Sequence, residues 1–151
     1  MARAQRHKYP VSLLVLRLPS AITIKNELGQ AAADRFLYQI SETLKKVCRN
    51  YDGLFKFSFE SFVMVFPETP PHYIQKISQR VSSKLKKKKY QLRKEENKKP
   101  PLFEIGGACF PLNGNNSEDL LSSAFDTLSN QFDANIIFPQ KDSPRTSRAP
   151  R

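Results

Sequence analysis

The stretch from Leu54 to Pro67, LFKFSFESFVMVFP, places the strongest constraint on the fold of this chain. Between Phe55 and Glu60, phenylalanine alternates with lysine, serine and glutamate, which is the period-2 pattern of a half-buried strand. The run from Phe62 to Phe66 is apolar on both faces, as is typical of a central strand covered on both sides. The stretch therefore predicts a hairpin, although its turn, Ser-Phe-Glu-Ser, has no glycine, asparagine or proline.

Hydrophobic spacing in the rest of the chain predicts further strands and helices. In chain order, the predicted elements are a strand at 11–18, a helix at 31–47, the hairpin at 54–66, a helix at 73–85, a strand at 102–110, a helix that begins with Ser117 as its N-cap, and a short strand at 135–138. The Gly106-Gly107 pair indicates a bulge or a close backbone approach. This order favours an α/β (α+β) fold of ferredoxin-like style, with helices packed on a central sheet.

Length and composition indicate one soluble globular domain, because 151 residues with 39% hydrophobic content can bury a sizeable core. We place this domain at residues 10–138 and interpret residues 139–151 as a mobile basic tail. No apolar run approaches the roughly 20 residues needed to span a bilayer, and no signal peptide is recognisable, so a cytoplasmic location is predicted. Cys48 and Cys109 are isolated, which indicates neither a disulfide framework nor a zinc site.

The formal net charge of +11 is large for this length, and much of it lies between Lys84 and Lys99. Such a block attracts polyanions. However, stacking aromatic residues are not interleaved with these lysines beyond Tyr90, so a solvated helix end and a mobile loop are favoured over a nucleic-acid surface. We therefore rank nucleic-acid binding below the other functions considered.

The pattern of elements resembles the GGDEF family, the diguanylate cyclase domains that join two GTP molecules into cyclic di-GMP. The resemblance covers roughly residues 10–138. It is carried by the strand SLLVLRL, the segment Ile24 to Gln30 followed by Asp34, the hairpin, Glu104-Ile105-Gly106, and Glu118 to Leu121 with Asp126. It implies a nucleotide-cyclase palm with a mostly antiparallel sheet, in a bacterial signalling protein. The family's N-terminal helix and Asp-x-Leu-Thr motif are not present, which leaves open that the chain is a fragment of a longer protein.

The family's Gly-Gly-Asp/Glu-Glu-Phe signature falls on Ser58-Phe59-Glu60-Ser61-Phe62, where only Glu60 and Phe62 match. In the family, the glycines let the backbone approach GTP. Phe59 would place a bulky ring there, and Ser61 has no charge with which to hold a divalent cation.

Two other positions that the resemblance links to GTP are also changed. Arg17 stands where an aspartate is expected, and its positive charge would repel Mg²⁺. Lys25 replaces an asparagine that reads guanine. Asp34 matches the family's second guanine contact, but taken alone it is more simply a helix-start residue. The resemblance therefore implies an inactive cyclase that needs no Mg²⁺ or other cofactor.

The family's inhibitory product site, Arg-x-x-Asp, is matched by Arg49-Asn50-Tyr51-Asp52 at the expected distance before the signature. A guanidinium can bind guanine O6/N7 or a phosphate, and a carboxylate can accept hydrogen bonds from the Watson-Crick edge of guanine. Arg80 lies where an arginine of the next helix completes the site in the family. The alternative interpretation of the tetrapeptide is a surface ion pair worth under about 1 kcal/mol.

The leading hypothesis is a catalytically inactive receptor that binds cyclic di-GMP through Arg49, Asp52 and Arg80. It would relay the signal to a protein partner or to another domain of the same chain. The alternative is a ligand-independent protein interaction scaffold. In that case Phe59 is either an exposed interface anchor or a side chain that fills the emptied nucleotide pocket. An active cyclase is the least expected function.

Overall fold

The computed structural model describes residues 9–92, 96–97, 101–130 and 132. The predicted strand at 135–138, the predicted tail at 139–151 and part of the lysine-rich stretch lie outside these residues.

A four-stranded antiparallel sheet forms the centre of the molecule. Its strands are β1 (Val11–Arg17), β2 (Gly53–Ser58), β3 (Ser61–Pro67) and β4 (Glu104–Phe110), in the spatial order β2-β3-β1-β4. The predicted hairpin is formed by β2 and β3, and β3 is an inner strand, as its apolar run indicates. A separate two-residue ladder joins Tyr90–Gln91 to Glu96–Asn97.

In the described ranges, four α-helices accompany the sheet: α1 (Pro19–Leu28), α2 (Gln30–Lys45), α3 (Ile74–Lys87) and α4 (Ser117–Asp126). A 3-10 turn at Pro71–Tyr73 leads into α3. None of the helices in the described part of the chain is long and apolar enough to cross a membrane.

The sheet separates two hydrophobic clusters because alternate residues of a strand point to opposite faces. Leu14 and Leu16 of β1 belong to the larger cluster, which also contains the buried hydrophobic residues of α1, α2 and α3. Leu13 and Val15 belong to the smaller cluster, which α4 covers. The central strands are therefore buried on both faces, as the sequence predicts.

The first helix was missed by the sequence analysis. Pro19 stands in its first turn, where the missing backbone N–H is not needed. Only Ala21 and Ile24 of α1 are buried, so α1 shows no long periodic apolar face. Gly29 has φ 96°, in the left-handed region that favours glycine, and separates α1 from α2.

Two local features of β4 and α4 refine the sequence-based expectations. The N-cap of α4 is Asn116 rather than Ser117, since the Asn116 side chain accepts a hydrogen bond from the backbone N of Asp119 at 2.9 Å. The pairing of β1 with β4 has an unbroken register, so there is no bulge in this ladder. The predicted close approach is confirmed, because a side chain at Gly106 would collide with the carbonyl oxygen of Ala124.

Candidate functional site

Arg49, Asp52 and Arg80 line one pocket with a volume of about 390 Å³. Arg49 and Asp52 lie in the connection between α2 and β2, and Arg80 lies on α3. The other lining residues come from the segment after α2, from β3 and the loop after it, from the 3-10 turn and from α3: Val47, Phe66, Glu68, Thr69, Tyr73, Lys76 and Ile77. The structure thus brings together the three residues that the resemblance implied for the ligand site.

Arg49 and Asp52 form a tight, partly buried pair. Oδ2 of Asp52 accepts hydrogen bonds from the backbone N of Arg49 at 2.6 Å and from its Nε at 3.2 Å, and Oδ1 accepts from Nη2 at 3.2 Å. The Arg49 side chain is 46% exposed, whereas that of Asp52 is 1% exposed. The hydrogen bond to Asp52 raises the pKa of Arg49. The pair therefore differs from a solvated surface ion pair.

Other groups also fix the Arg49 side chain. Its Nη2 donates to Oγ1 of Thr69 at 2.6 Å, and Thr69 in turn donates to the carbonyl of Pro67 at 3.0 Å. The ring of Tyr51 lies 4.7 Å from the guanidinium carbon, in cation-π contact. Within the described residues, Nη1 of Arg49 has no hydrogen bond, whereas Nε and Nη2 both do.

Asp52 has a different environment from the one expected of a direct guanine contact. Both carboxylate oxygens are engaged by Arg49, and almost none of the side chain reaches the surface. Asp52 therefore positions Arg49 in this arrangement. Direct contact between Asp52 and a base would require the Arg49–Asp52 pair to open.

Lys76 and Arg80 supply further positive charge to the pocket from α3. They are four residues apart, which places them on one face of the helix. Both are exposed, and neither forms an ion pair or a hydrogen bond within the described part of the chain. The sequence analysis did not identify Lys76, although its spacing from Arg80 was a usable signal.

Glu68, Thr69 and Tyr73 were also not identified from the sequence. They follow β3 and reach the pocket because the chain turns there into α3. No motif in this segment pointed to the pocket, since the turn brings these residues beside Arg49 only in the folded chain.

At the signature position, a two-residue turn of Phe59 and Glu60 joins β2 to β3. Ser58 Oγ contacts Ser61 Oγ across the turn. The Glu60 carbonyl accepts a hydrogen bond from the backbone N of Leu18 at 2.7 Å, which ties the turn to the residue after β1. Glu68 is the only non-glycine residue with positive φ in the described ranges. Phe59 and Glu60 therefore turn the chain without the conformation that requires glycine.

Phe59 is half-buried and packs against the larger hydrophobic cluster. The ammonium groups of Lys25 and Lys56 lie 5.1 Å and 5.4 Å from its ring centroid. Of the two roles open for Phe59, this placement supports packing over an exposed interface anchor.

The residues at the expected metal positions do not suit Mg²⁺, which prefers carboxylate and other oxygen ligands. Arg17, at the end of β1, forms an ion pair with Glu104, and Ser61 is buried in the neighbouring strand. Within the ranges that the structure describes, no group of three or more His, Cys, Asp or Glu side chains is placed to hold a metal ion.

Asp34, the other matching guanine contact, is exposed on α2. Nε2 of Gln30 donates to its Oδ1 at 2.8 Å. The interpretation of Asp34 as a helix-start residue was wrong, because α2 begins at Gln30 and its first turn contains no acidic residue.

A second cavity of about 450 Å³ lies against a different face of α3. Ser78, Ser82 and Lys86 of α3 line it together with Phe103 and Phe132. None of the predicted site residues is among those that line this cavity, whereas Arg49, Asp52 and Arg80 line the pocket described above.

Comparison with known proteins identifies the family. The profile described as "Diguanylate cyclase, GGDEF domain" matches residues 1–133. A search of curated protein sequences gave no significant match.

Solved structures share the fold at low sequence identity. The GGDEF domain of PA1120 (YfiN or TpbB) from Pseudomonas aeruginosa superimposes with a TM-score of 0.76 at 18% identity, over 83% of this chain and 78% of that chain. The GGDEF domain of DgcB from Caulobacter crescentus, in complex with c-di-GMP, gives 0.75 at 15% identity, over 83% and 74%. The diguanylate cyclase SiaD from Pseudomonas aeruginosa, in complex with its activator SiaC, gives 0.71 at 19% identity, over 83% and 48%. Because the family profile covers most of the chain and the fold agrees with it, this protein belongs to the GGDEF domain family of diguanylate cyclases.

Proposed function

We propose that this GGDEF domain is a receptor that binds cyclic di-GMP in the pocket of Arg49, Asp52 and Arg80, and that it does not synthesise this dinucleotide. The observation that carries the proposal is the convergence of these three residues, from two distant parts of the sequence, on one pocket of about 390 Å³. This volume lies within the roughly 300–1,000 Å³ typical of small-molecule sites.

The charges of the pocket suit a cyclic dinucleotide with guanine bases and phosphate groups. Arg49, Lys76 and Arg80 present positive charge, and arginine binds both phosphate oxygens and the O6/N7 edge of guanine. The hydrogen bonds from Arg49 to Asp52 and Thr69 hold the guanidinium before any ligand arrives. Such pre-organisation reduces the entropic cost of binding.

The proposed loss of catalysis rests on the former GTP site. Arg17 and Ser61 provide no carboxylate for a divalent cation, and phosphoryl transfer in other enzymes depends on such ions to neutralise the triphosphate. Phe59 occupies the turn over which the family binds GTP, and Lys25 of α1 and Lys56 of β2 lie beside its ring. Receptor binding at the Arg49 pocket needs no metal ion.

Transfer of the signal to a protein partner is the second part of the proposal. The pocket is small enough to enclose one end of a cyclic dinucleotide, which leaves the other end for a second protein surface or a second domain. A ligand shared in this way raises the effective concentration of the two surfaces. The related SiaD is known in complex with its activator SiaC, which is an example of a GGDEF protein with a protein partner.

Calorimetric titration with cyclic di-GMP tests the proposal, at moderate salt so that nonspecific attraction to lysines is screened. Arg80→Ala is the informative variant because Arg80 has no bonded partner in the described residues whose loss would disturb the fold. Lys84→Ala, one turn further along α3 and outside the pocket lining, is the control for loss of one positive charge.

We expect saturable binding to the wild type and to Lys84→Ala, and a loss of about tenfold or more in Arg80→Ala. Arg49→Ala should abolish binding, but it also leaves the buried Asp52 without its partner, so its thermal stability must be measured in parallel. Absence of wild-type binding in the micromolar range would overturn the receptor proposal.

A ligand-independent interaction scaffold is the second candidate, and one observation favours it. Phe55 and Phe57, on the edge strand β2, are 58% and 55% exposed. Exposed aromatic side chains are frequent anchors in protein interfaces. If cyclic di-GMP does not bind, this strand is the surface on which to look for a partner, by testing whether Phe55→Ala weakens the complex while the domain stays folded.

A further inference from the structure

The pocket contains two acidic side chains in very different situations. The carboxylate of Asp52 is buried and bonded to Arg49, whereas Glu68 is exposed at the pocket. Within the described residues, Glu68 forms no ion pair and no hydrogen bond, even though Arg49, Lys76 and Arg80 line the same pocket. An uncommitted carboxylate in a pocket of positive charges is not needed for binding phosphate, which it would repel.

We propose that Glu68 reads the Watson-Crick edge of a guanine base and thereby selects a guanine over an adenine dinucleotide. The inference rests on the proposed receptor function and assigns base selection to a residue outside the Arg-x-x-Asp tetrapeptide. Asp52 acts as a positioning residue for Arg49.

The backbone of Glu68 supports a special role for this position. Its φ of 52° lies in the left-handed region, and no other non-glycine residue in the described ranges has a positive φ. A residue other than glycine adopts this conformation at a cost, and such residues are concentrated at functional sites.

The turn at Glu68 also organises its neighbours. Thr69 is buried, donates its hydroxyl to the Pro67 carbonyl, and accepts from Arg49. Its backbone N donates to the carbonyl of Pro10 at 3.2 Å. The residues on both sides of Glu68 are held in this way, so Glu68 lines the pocket of Arg49 from a loop that is tied to the rest of the fold.

The hydrogen-bonding groups of guanine and adenine allow a carboxylate to distinguish the two bases. Guanine presents two kinds of N–H donor on its Watson-Crick edge, at N1 and at the 2-amino group, and a carboxylate can accept from both. Adenine presents a lone pair at N1, which a carboxylate repels. The arginines are suited to the opposite edge of guanine, where O6 and N7 are acceptors. One guanine can therefore be recognised from both sides.

The test is calorimetric titration of the whole chain with cyclic di-GMP and with cyclic di-AMP. Glu68→Gln leaves the length of the side chain unchanged and puts another non-glycine residue at the same positive φ. Its amide can pair with adenine, as glutamine does in DNA recognition. Glu27→Gln, at an exposed position of α1 outside the pocket lining, is the matched control for loss of one negative charge.

We expect the wild type and Glu27→Gln to prefer cyclic di-GMP, and Glu68→Gln to lose about tenfold or more of its affinity for cyclic di-GMP. The same variant should bind cyclic di-AMP more tightly than the wild type does. Thermal unfolding of Glu68→Gln should match that of the wild type, since Glu68 has no bonded partner in the described residues.

The outcomes separate this inference from the proposed function. Wild-type binding that depends on Arg80 but is equal in Glu68→Gln would overturn the role of Glu68 and leave the receptor proposal intact. No wild-type binding of cyclic di-GMP would overturn both. A loss of affinity that is the same for both dinucleotides would also contradict the inference, because a base reader must change the preference between them.

Discussion

Arg17 and Glu104 face each other across the β1–β4 ladder, and Nε of Arg17 donates a hydrogen bond to Oε1 of Glu104 at 2.7 Å. Nη2 of Arg17 contacts the same oxygen. The pair lies at the end of β1, next to Ser61 of β3. The resemblance implies a metal-binding carboxylate at the position of Arg17. In this protein Arg17 instead supplies a positive charge, which pairs with the carboxylate of Glu104 on the neighbouring strand.

We predict a measurable but small coupling between Arg17 and Glu104. Their side chains are 46% and 24% exposed, so the coupling energy should be about 0.5–1 kcal/mol at low salt and should shrink in about 1 M salt. A double-mutant cycle with Arg17→Ala, Glu104→Ala and the double variant, followed by urea unfolding, measures it. A coupling energy that does not respond to salt would contradict an electrostatic origin.

We expect the purified protein to form no cyclic di-GMP from GTP in the presence of Mg²⁺ or Mn²⁺, because Arg17 and Ser61 replace the carboxylates that hold the metal in the family. Chromatography of the nucleotides after incubation checks this, with an active diguanylate cyclase as the positive control. Detectable product would show that the domain retains synthesis.

Asp52→Asn should weaken cyclic di-GMP binding by loosening Arg49, although Asp52 offers almost no surface to a ligand. Loss of the charged acceptor should also cost about 1–3 kcal/mol of the free energy of unfolding. The Nε–H signal of Arg49 in NMR spectra reports its hydrogen bond directly and should shift or broaden.

Asp126→Asn, at an exposed position of α4, is the matched control for the Asp52 variant and should leave both binding and the Arg49 signal unchanged. Equal binding by Asp52→Asn and the wild type would contradict the positioning role.

Phe59→Ala should lower the free energy of unfolding by about 1–2 kcal/mol, because the half-buried ring packs against the larger hydrophobic cluster. Phe55→Ala removes an equally large ring that is 58% exposed, and should change the free energy of unfolding by no more than about 0.5 kcal/mol. Urea unfolding of both variants gives the comparison. Equal effects would mean that Phe59 contributes no more packing than an exposed ring.

The stability of the protein should fall between about pH 10 and pH 12 in a way that depends on Tyr90. Burial raises the pKa of Tyr90 from 10.0 to about 12, and its hydroxyl donates to the Leu85 carbonyl. In this range the unfolded chain loses the phenolic proton while the folded chain keeps it, so unfolding becomes easier as the pH rises. The loss should be on the order of 2 kcal/mol.

Tyr90→Phe separates this effect from the titration of lysines, which both proteins share. The variant should be about 1 kcal/mol less stable than the wild type at neutral pH, because it lacks the hydrogen bond to Leu85. Its stability should decline less between about pH 10 and pH 12. Urea unfolding across this range is the measurement, and parallel declines in the two proteins would contradict the assignment to Tyr90.

Much of the fold could be predicted from the sequence because burial leaves a local pattern. The alternation around Phe57 and the apolar run to Phe66 predicted β2 and an inner β3, and helical spacing predicted α2, α3 and α4. The short helix α1 escaped because only two of its residues are buried. The position of the N-cap at Asn116 rather than Ser117 was decided by which side chain reaches the Asp119 backbone N.

For the site, the sequence by itself determined the residue types: the Arg-x-x-Asp tetrapeptide, Arg80, and Arg17 and Ser61 at the two positions where the resemblance implies carboxylates. Only the tertiary structure decided how these residues are used. Asp52 is buried by Arg49, Glu68 is left exposed in the pocket, and Arg17 is paired with Glu104. The physical reason is that periodicity reports which face of an element is buried, whereas the hydrogen bonds of Arg49 to Pro67 and Thr69 and of Arg17 to Glu104 join residues 18, 20 and 87 positions apart. They form only when the fold brings these segments together.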